Sequence, residues 1–381
     1  MPKVGIATLP LDRGYCPKWL FEKMRRLSRV IVLSILEEFG REEFIKRLAN
    51  PVWFQSLGCV IGFDYNSSGL TTVTLGALKE GLRGLEKETG IFICGGKGKT
   101  ARKTPQEVQK WEETFFSKEE VKKLTYISRI TAKIDSTLLQ DGYQLYHHNL
   151  IFTSEGDWAV IQQGMQEKNS TARRYHWLSS KTKNFTEEPH SGIISGKRSP
   201  TLNLVAKESK KNKEISLGLV REEPKTFFRD IKLISEKQNS LIKTKQKSLP
   251  FFVEMKLKNI EFHHHPVEKE KFDLKRLKKI IEKIHFLKPS NFEELLAIEG
   301  VGQKTIRALS LVSEVIYGAK PSYEDPARYS FCVGGKDGTP YPIERETYSE
   351  MLKILERGLK KTNISLSEKE KRKKRLYEKI G

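Results

Sequence analysis

The stretch QLYHHNLIFTSEGDWAVIQQ, residues 144–163, predicts a β-hairpin. Gln144–Thr153 and Trp158–Gln163 are strand-like, and the Ser-Glu-Gly-Asp sequence between them favours a turn. Helical sequence precedes this hairpin and further strand-like sequence follows it. We therefore expect the hairpin to lie in a domain of mixed helix and sheet.

The hairpin carries polar residues where a core strand normally carries apolar ones. Strict alternation places Tyr146 and His148 on one face and His147 on the other. Gln162 and Gln163 stand side by side on the returning strand. Buried polar groups need hydrogen-bond partners, so the paired strands predict the floor of a polar site.

The flanking sequence supplies the other elements of an α+β fold. Apolar residues at helical spacing, interrupted at Gly40 and at Asn50-Pro51, predict several helices. The predicted helices are Pro17–Phe39, Arg41–Leu48, Val52–Val60, Leu70–Arg83, Pro105–Glu113 and Lys118–Gln140, and the further strands are Ile91–Cys94 and Ser191–Ser195.

Composition divides the 381 residues into four regions. Residues 1–205 form a mixed helix and sheet domain that is the candidate catalytic domain. Residues 206–289 are Lys-rich and helical or linker-like, residues 290–361 form a helical DNA-binding domain, and residues 362–381 are a charged tail.

The charge balance points to a polyanionic partner. The chain has 69 Lys and Arg against 48 Asp and Glu, a formal net charge of +21. Nucleic acid is the commonest partner of such a protein, although a lysine-rich solvated surface is the alternative. The longest apolar stretch, Val30–Leu36, is too short to cross a bilayer, and the start of the chain has no signal-peptide core. We expect a cytoplasmic protein with no membrane partner, and self-association into a homo-oligomer is open.

The sequence SNFEELLAIEGVGQKTIRALS, residues 290–310, predicts two short helices joined by a glycine turn. Ser290 and Glu293 predict a capping box at the first helix. Gly300 and Gly302 allow a tight turn and leave backbone N–H groups open to an anionic phosphate, with Lys304 and Arg307 nearby. Contacts of this kind hold DNA without reading its sequence.

This segment resembles the helix-hairpin-helix of DNA repair glycosylases, structure-specific nucleases and recombination proteins. In the glycosylases, the resemblance implies a Schiff-base lysine, which would be Lys304, and a catalytic aspartate, which would be Asp325. The sequence around Asp325 departs from the glycosylase pattern, and a four-cysteine cluster that many of these enzymes carry is missing. An ordinary pair of helices with a glycine turn remains the simpler alternative.

A second glycine-rich stretch, Gly95-Gly96-Lys97-Gly98-Lys99, follows a predicted strand. It does not match a nucleotide-binding P-loop, because Ile93 occupies the position of the first required glycine. We expect Lys97 and Lys99 to touch nucleic-acid phosphates, with an exposed turn as the alternative.

The candidate catalytic groups lie mostly around the hairpin. Asp64, Asp135, Asp141 and Glu188 are candidate ligands for Mg²⁺ or Mn²⁺, and Asp135 and Asp141 are also candidate catalytic groups. His147, His148 and His176 are candidate acids or bases, and Arg173 and Arg174 are candidates to clamp a phosphate. Each of these residues also has an ordinary structural explanation, and together they do not match the PD-(D/E)xK, ERKxxxD or HNH patterns of nucleases residue by residue.

Several segments resemble one prokaryotic family, largely archaeal, known as domain of unknown function 763. The resembling segments are GIATLPL (5–11), WFQ (53–55), FDYNSSG (63–69), LQDGYQLYHH (139–148), ARRYHW (172–177), DPAR (325–328) and GGKDG (334–338). The family description implies no activity.

The sequence thus favours a DNA-binding nuclease that depends on a divalent metal and acts on single-stranded or structured DNA in repair or recombination. A glycosylase or lyase is one alternative. The other is a DNA-binding protein without catalysis, in which the polar cluster is structural.

Overall fold

The structure is a computed structural model that describes residues 11, 16–62, 68–195, 201–244 and 272–327, with only the backbone described for residues 235–244. These residues form helices and antiparallel sheets, which confirms the predicted α+β class. No helix among these residues is both long and apolar enough to cross a membrane.

The chain before the sheet is helical. The elements are α1 (Lys18–Ala49), α2 (Pro51–Val60), α3 (Ser68–Leu82) and the short α4 (Glu86–Thr89). Gly40 interrupts the helical path of α1 with φ 79° and ψ 179°, which confirms the predicted break at that glycine. Asn50 then caps α2, because its side-chain oxygen accepts the backbone N–H groups of Val52 and Trp53.

Within the described residues, one five-stranded antiparallel sheet has the order β1-β3-β4-β5-β6, and β2 pairs with β7. The bounds are β1 (Ile91–Lys97), β2 (Leu139–Gln140), β3 (Gln144–Thr153), β4 (Trp158–Gln166), β5 (Thr171–Leu178), β6 (His190–Ser195) and β7 (Leu202–Asn203). The predicted hairpin of β3 and β4 is confirmed, and it lies in the middle of the sheet. The strand β5 is an element that the sequence reasoning did not predict.

The remaining helices lie between β1 and β2 and after β7. They are α5 (Lys99–Arg102), α6 (Thr104–Gln109), α7 (Lys118–Thr137), α8 (Lys210–Arg221), α9 (Pro224–Thr244), α10 (Leu274–Leu287), α11 (Phe292–Ala297) and α12 (Gln303–Val315). The cap of α11 is Asn291 rather than the predicted Ser290, because the Asn291 side chain accepts the Glu294 N–H at 2.9 Å.

Both faces of the sheet are covered. Phe92, Leu150 and Trp177 belong to a core shared with α7 and the C-terminal helices, whereas Ile151 and Ile161 belong to a core shared with α1, α2 and α3. An antiparallel sheet often leaves one face in water, but here the central strands are buried on both sides. The polar side chains in the middle of these strands, such as His148, Gln162 and Arg174, are therefore removed from solvent.

An irregularity in β3 changes the predicted alternation. The register between β3 and β4 shifts between Leu145 and His147, as in a β-bulge. The Tyr146 hydroxyl consequently accepts a hydrogen bond from Gln163, which pairs with His147. The prediction that Tyr146 shares a face with His148 is wrong, because strict alternation does not hold across a bulge.

The C-terminal helices pack on the same body as the sheet. Asn212 on α8 donates from its side-chain amide to the carbonyl groups of Ser310 and Ala319 at 3.0 and 2.7 Å. Arg221 donates to the Pro289 carbonyl, which fixes the chain just before α11. One continuous apolar core includes residues of β3, α8, α10 and α12, so the described residues on either side of the predicted boundaries at 205 and 289 pack together.

We predict opposite effects from two glycine-to-alanine substitutions. Gly95 on β1 has φ +102°, and an added Cβ would lie 2.1 Å from the His148 carbonyl oxygen. Gly218 lies inside α8, and an added Cβ there meets no atom within 4 Å. Gly95→Ala should lower the free energy of unfolding by at least about 2 kcal/mol, and Gly218→Ala should raise it by about 0.5–1 kcal/mol. Urea unfolding of both variants checks this, and equal stability of the two would contradict the tight approach of β1 to β3.

Candidate functional site

A buried hydrogen-bonded chain runs from α7 across one face of the sheet. Ser128 on α7 contacts the Nε2 atom of His148 at 2.9 Å, and His148 Nδ1 contacts the side-chain oxygen of Gln162 at 2.9 Å. The Gln162 amide then donates to Asp135 Oδ2 at 2.6 Å. This chain provides hydrogen-bond partners for His148 and Gln162, two of the polar residues that the sequence placed on adjacent strands.

Asp135 is the end point of this chain and has no solvent exposure. Its Oδ2 atom also accepts the Trp177 indole N–H at 2.9 Å, and its Oδ1 atom lies 2.6 Å from His190 Nε2. Three side chains therefore occupy the two oxygens. A metal ion would have to displace them, so these contacts favour a structural role for Asp135 over the predicted metal-ligand or catalytic role.

His190 is a member of this cluster that the sequence reasoning did not select. Its imidazole packs 4.4 Å from the Trp177 ring between centroids and keeps some exposure at the edge of the sheet. The residues Glu-Pro-His, 188–190, show no strand-like alternation, so the predicted strand began at Ser191 and left this histidine out. The pairing of His190 with Trp177 across β5 and β6 brings it to Asp135.

A second buried cluster surrounds Arg173 on β5. Arg173 forms ion pairs with Asp141 at 2.9 Å and with Asp325 at 2.6 Å, and all three side chains are almost fully buried. Asp141 also accepts the Tyr175 hydroxyl at 2.7 Å. Burial raises the pKa of Asp141, opposed by the nearby Arg173 charge. The cluster ties the segment that contains Asp325 to the sheet.

The opposite face of the sheet holds Arg174 and Gln163. Arg174 donates to the side-chain oxygen of Gln55 on α2 at 2.9 Å and to the Thr71 hydroxyl on α3 at 3.1 Å. The Gln163 amide donates to the Ser68 carbonyl at 2.8 Å. Burial lowers the pKa of Arg174 to about 9. These contacts join the first helices to β4 and β5.

The predicted phosphate clamp does not fit these positions. Arg173 and Arg174 have no solvent exposure, and their guanidinium groups bond to side chains inside the protein. Adjacent residues on a strand also point to opposite faces, so the two arginines do not act on the same group.

Two of the predicted acid–base histidines are buried without an evident proton path. The Asn149 side chain interacts with His147 and the Leu48 backbone interacts with His176, and in both cases burial outweighs this interaction. Burial lowers the pKa of His147 to about 3 and lowers the pKa of His176 well below its ordinary value. Both imidazoles are neutral at physiological pH, and His176 packs edge-on against Phe54 with ring centroids 5.5 Å apart.

The predicted metal ligands do not come together in the part of the chain that the structure describes. No group of three or more His, Cys, Asp or Glu side chains suited to a metal ion is found there. Glu188 is exposed and pairs with Lys207 at 3.2 Å, while Asp135 and Asp141 lie in separate hydrogen-bonded clusters. Asp64 lies outside the described residues.

The two short C-terminal helices form the predicted glycine turn. Gly300 has φ +94°, a conformation that favours glycine, and Val301 is buried beneath the turn. Gly302 precedes α12, and no side chain in the described residues caps this helix. Lys304 is exposed at the first turn of α12, whereas Arg307 is partly buried and donates to Gln140.

The other predicted phosphate contacts lie at the end of β1. Gly95, Gly96 and Lys97 belong to the strand rather than to a loop, and Gly98 forms the turn into α5 with φ +60°. Lys97 and Lys99 are exposed, and the Lys97 ammonium lies 6.0 Å from the centre of the Tyr146 ring.

These features define an α+β protein with polar networks buried on both faces of its sheet and, on the same body, a helical hairpin with an exposed lysine. The chain belongs to the family described as "Protein of unknown function (DUF763)", whose model matches residues 5–343. The resemblance inferred from the sequence segments is thereby confirmed. Neither the curated proteins nor the solved structures contain a significant match to the chain.

We predict that His147 makes the protein lose stability in acid. The His147 imidazole takes up a proton near pH 6.5 in the unfolded chain, but its pKa falls to about 3 in the folded protein because it is buried. Folding stability due to this residue therefore falls as pH decreases from about 6.5 toward 3, by up to about 1.4 kcal/mol per pH unit.

The substitution His147→Leu should reduce by about one the number of protons taken up on unfolding in acid. Stability at pH 8 should stay equal or rise, because burial of a polar imidazole is unfavourable. Urea unfolding at pH 4.5, 5.5, 6.5 and 8 measures both effects. An unchanged pH slope together with a large loss of stability at pH 8 would show that the imidazole makes essential contacts.

Proposed function

We propose that this protein binds DNA through the hairpin of α11 and α12 and that the hairpin acts as a helix-hairpin-helix. The observation that carries the proposal is the open turn before α12. An added Cβ at Gly302 would meet no atom within 4 Å, so space lies in front of this backbone. A phosphate oxygen suits that space, because the first N–H groups of an uncapped helix carry partial positive charge.

Charge on the same surface supports this proposal. Lys304 is exposed at the second residue of α12. Lys283 on α10 is paired with Glu299 beside the turn, 3.0 Å from its carbonyl oxygen and 3.8 Å from its carboxylate. Lysines at such a turn neutralise phosphates without reading bases, so binding would be independent of sequence and sensitive to salt. The net charge of +21 adds long-range attraction to the same polyanion.

The buried networks support a structural function for much of the polar cluster. Hydrogen bonds inside the protein occupy the main charged groups of this cluster. Asp135 accepts one from Gln162, and Asp141 accepts from Arg173 and Tyr175. Arg174 donates to Gln55. DNA binding is therefore the function that the geometry supports best. A cytoplasmic location goes with this proposal, and Lys97 and Lys99 remain predicted as further phosphate contacts.

Metal-dependent strand cleavage stays a prediction from the sequence. If it occurs, His190, whose side chain is 7% exposed and lies 2.6 Å from Asp135, is the residue that we would expect to move a proton. The glycosylase alternative gains no support from Asp325, because Arg173 binds its carboxylate in a buried ion pair.

We expect Gly302→Ala and Lys304→Ala to weaken DNA binding for different reasons. The added methyl at Gly302 occupies the proposed phosphate position, and the backbone there has an extended φ of −142° that alanine adopts without strain. Lys304→Ala should reduce the slope of log affinity against log salt by about 0.9, as expected for the loss of one phosphate contact.

Fluorescence anisotropy with a labelled duplex at 50–200 mM salt measures both effects, and Lys87→Ala, an exposed lysine of α4, is the matched control. Folded Gly302→Ala and Lys304→Ala proteins that bind as tightly as the control would overturn the hairpin as the binding site.

The cleavage prediction has a separate test. Labelled single-stranded, duplex and branched DNA would be incubated with Mn²⁺, Mg²⁺ or EDTA. Metal-dependent cleavage should be lost in His190→Gln and retained in Lys87→Ala. Binding without cleavage under every metal would leave a DNA-binding protein, and borohydride trapping on abasic DNA through Lys304 would instead favour the lyase.

A further inference from the structure

Phe286 is the most exposed large hydrophobic side chain in the described residues, with 84% of its surface open. It lies near the end of α10, and its neighbour Leu287 is 50% exposed. Exposed apolar surface that is rimmed by polar residues marks interaction sites, so a binding partner is a natural explanation for this pair of side chains.

Helix α10 separates this ring from the protein core. Leu277, Ile281 and Ile284 form the buried stripe of the helix. The opposite face carries side chains at helical spacing that are all exposed, and these are Arg276, Lys279, Lys283 and Phe286. The aromatic ring therefore stands at the end of a row of three cations.

This row borders the proposed DNA-binding turn. The Ile280 side chain lies 3.8 Å from the position that a Cβ on Gly300 would take. The Lys283 ammonium donates to the Glu299 carbonyl at 3.0 Å and lies 3.8 Å from the Glu299 carboxylate. Phe286 follows Lys283 by three residues, about 4.5 Å along the helix axis, so it lies on the surface next to the hairpin.

The chemistry of these neighbours selects one kind of occupant. Lys279 and Lys283 on α10, Lys288 just after it and Lys304 on α12 are exposed. The one acidic side chain of α10, Glu282, is paired with Lys278 at 3.8 Å. A partner must combine negative charge with a flat apolar surface, which a nucleic-acid strand offers as phosphate and base. Bases inside a duplex are already stacked on each other, whereas unpaired bases expose their faces to an aromatic side chain.

We propose that Phe286 stacks on an unpaired base of DNA whose phosphates lie at the hairpin. The preferred ligand is then DNA with a single-stranded part, such as an overhang, gap or junction. This inference rests on the proposed DNA binding by α11 and α12. It adds the class of DNA structure and the residue that selects it.

The test compares two ligands that share a labelled duplex, one blunt and one with a ten-nucleotide single-stranded extension. Anisotropy would be measured for the full chain and for Phe286→Ala, Phe286→Trp and Leu274→Ala. Leu274 is 43% exposed on the same helix, about 18 Å along the axis from Phe286, and is the matched control for loss of an exposed apolar side chain.

We expect Phe286→Ala to weaken binding to the extended ligand about tenfold and to leave binding to the blunt duplex within about twofold, as for the loss of one stacked base. Phe286→Trp should keep the preference, and Leu274→Ala should resemble the parent protein. A 2-aminopurine base in the extension should be quenched by the parent protein and not by Phe286→Ala. Circular dichroism of each variant checks that the fold is kept.

Other outcomes overturn the inference in distinguishable ways. If the parent protein binds neither ligand, the proposed DNA binding itself fails. If it binds both, and Phe286→Ala weakens neither or weakens both equally, DNA binding stands and the stacking role fails. If Phe286→Ala changes only the mass measured by light scattering, or only binding to anionic vesicles, the ring contacts a second copy or a lipid surface instead.

Discussion

The structure depends on the satisfaction of polar side chains inside a sheet that is buried on both faces. Asp135 is the clearest case, because a fully buried carboxylate accepts hydrogen bonds from Gln162 and Trp177 and lies within hydrogen-bond distance of His190. An isolated charge in such a place would be strongly unfavourable. The contacts of Asp135 fix α7 relative to β4, β5 and β6, and the helices that carry the hairpin share the core on this side.

The same constraint explains why the polar cluster resembles an active site in sequence. Catalytic sites and buried structural networks both place carboxylates, histidines and amides close together, and only the contacts separate them. Here Arg173 lies between Asp141 and Asp325, and Arg174 donates to Gln55 and Thr71. Among the described residues, the exposed candidates for binding include the glycine turn, Lys304, Phe286, Lys97 and Lys99.

Local sequence was sufficient for elements whose pattern is regular. The hairpin of β3 and β4 and the break at Gly40 follow from strand alternation and from glycine alone. The strand β5 was missed because its buried residues include Arg173, Arg174 and His176, whose burial depends on partners far away in the chain. His190 was missed for the same reason, since its partner Asp135 is 55 residues distant. The bulge at Tyr146 shifts the strand pairing by one residue, and α11 is capped by Asn291, one residue after the predicted Ser290. Shifts of this size depend on tertiary contacts as well as on local sequence.

Hydrogen–deuterium exchange with and without DNA is the most direct test of the division between a structural sheet and a DNA-binding hairpin. The account predicts that DNA protects amides at Gly300–Lys304 and at the end of α10, while β3 and β4 exchange at the same slow rate in both states. Protection that appears instead around His190 and the β5–β6 edge, with the hairpin amides unchanged, would contradict it and place the DNA at the polar cluster.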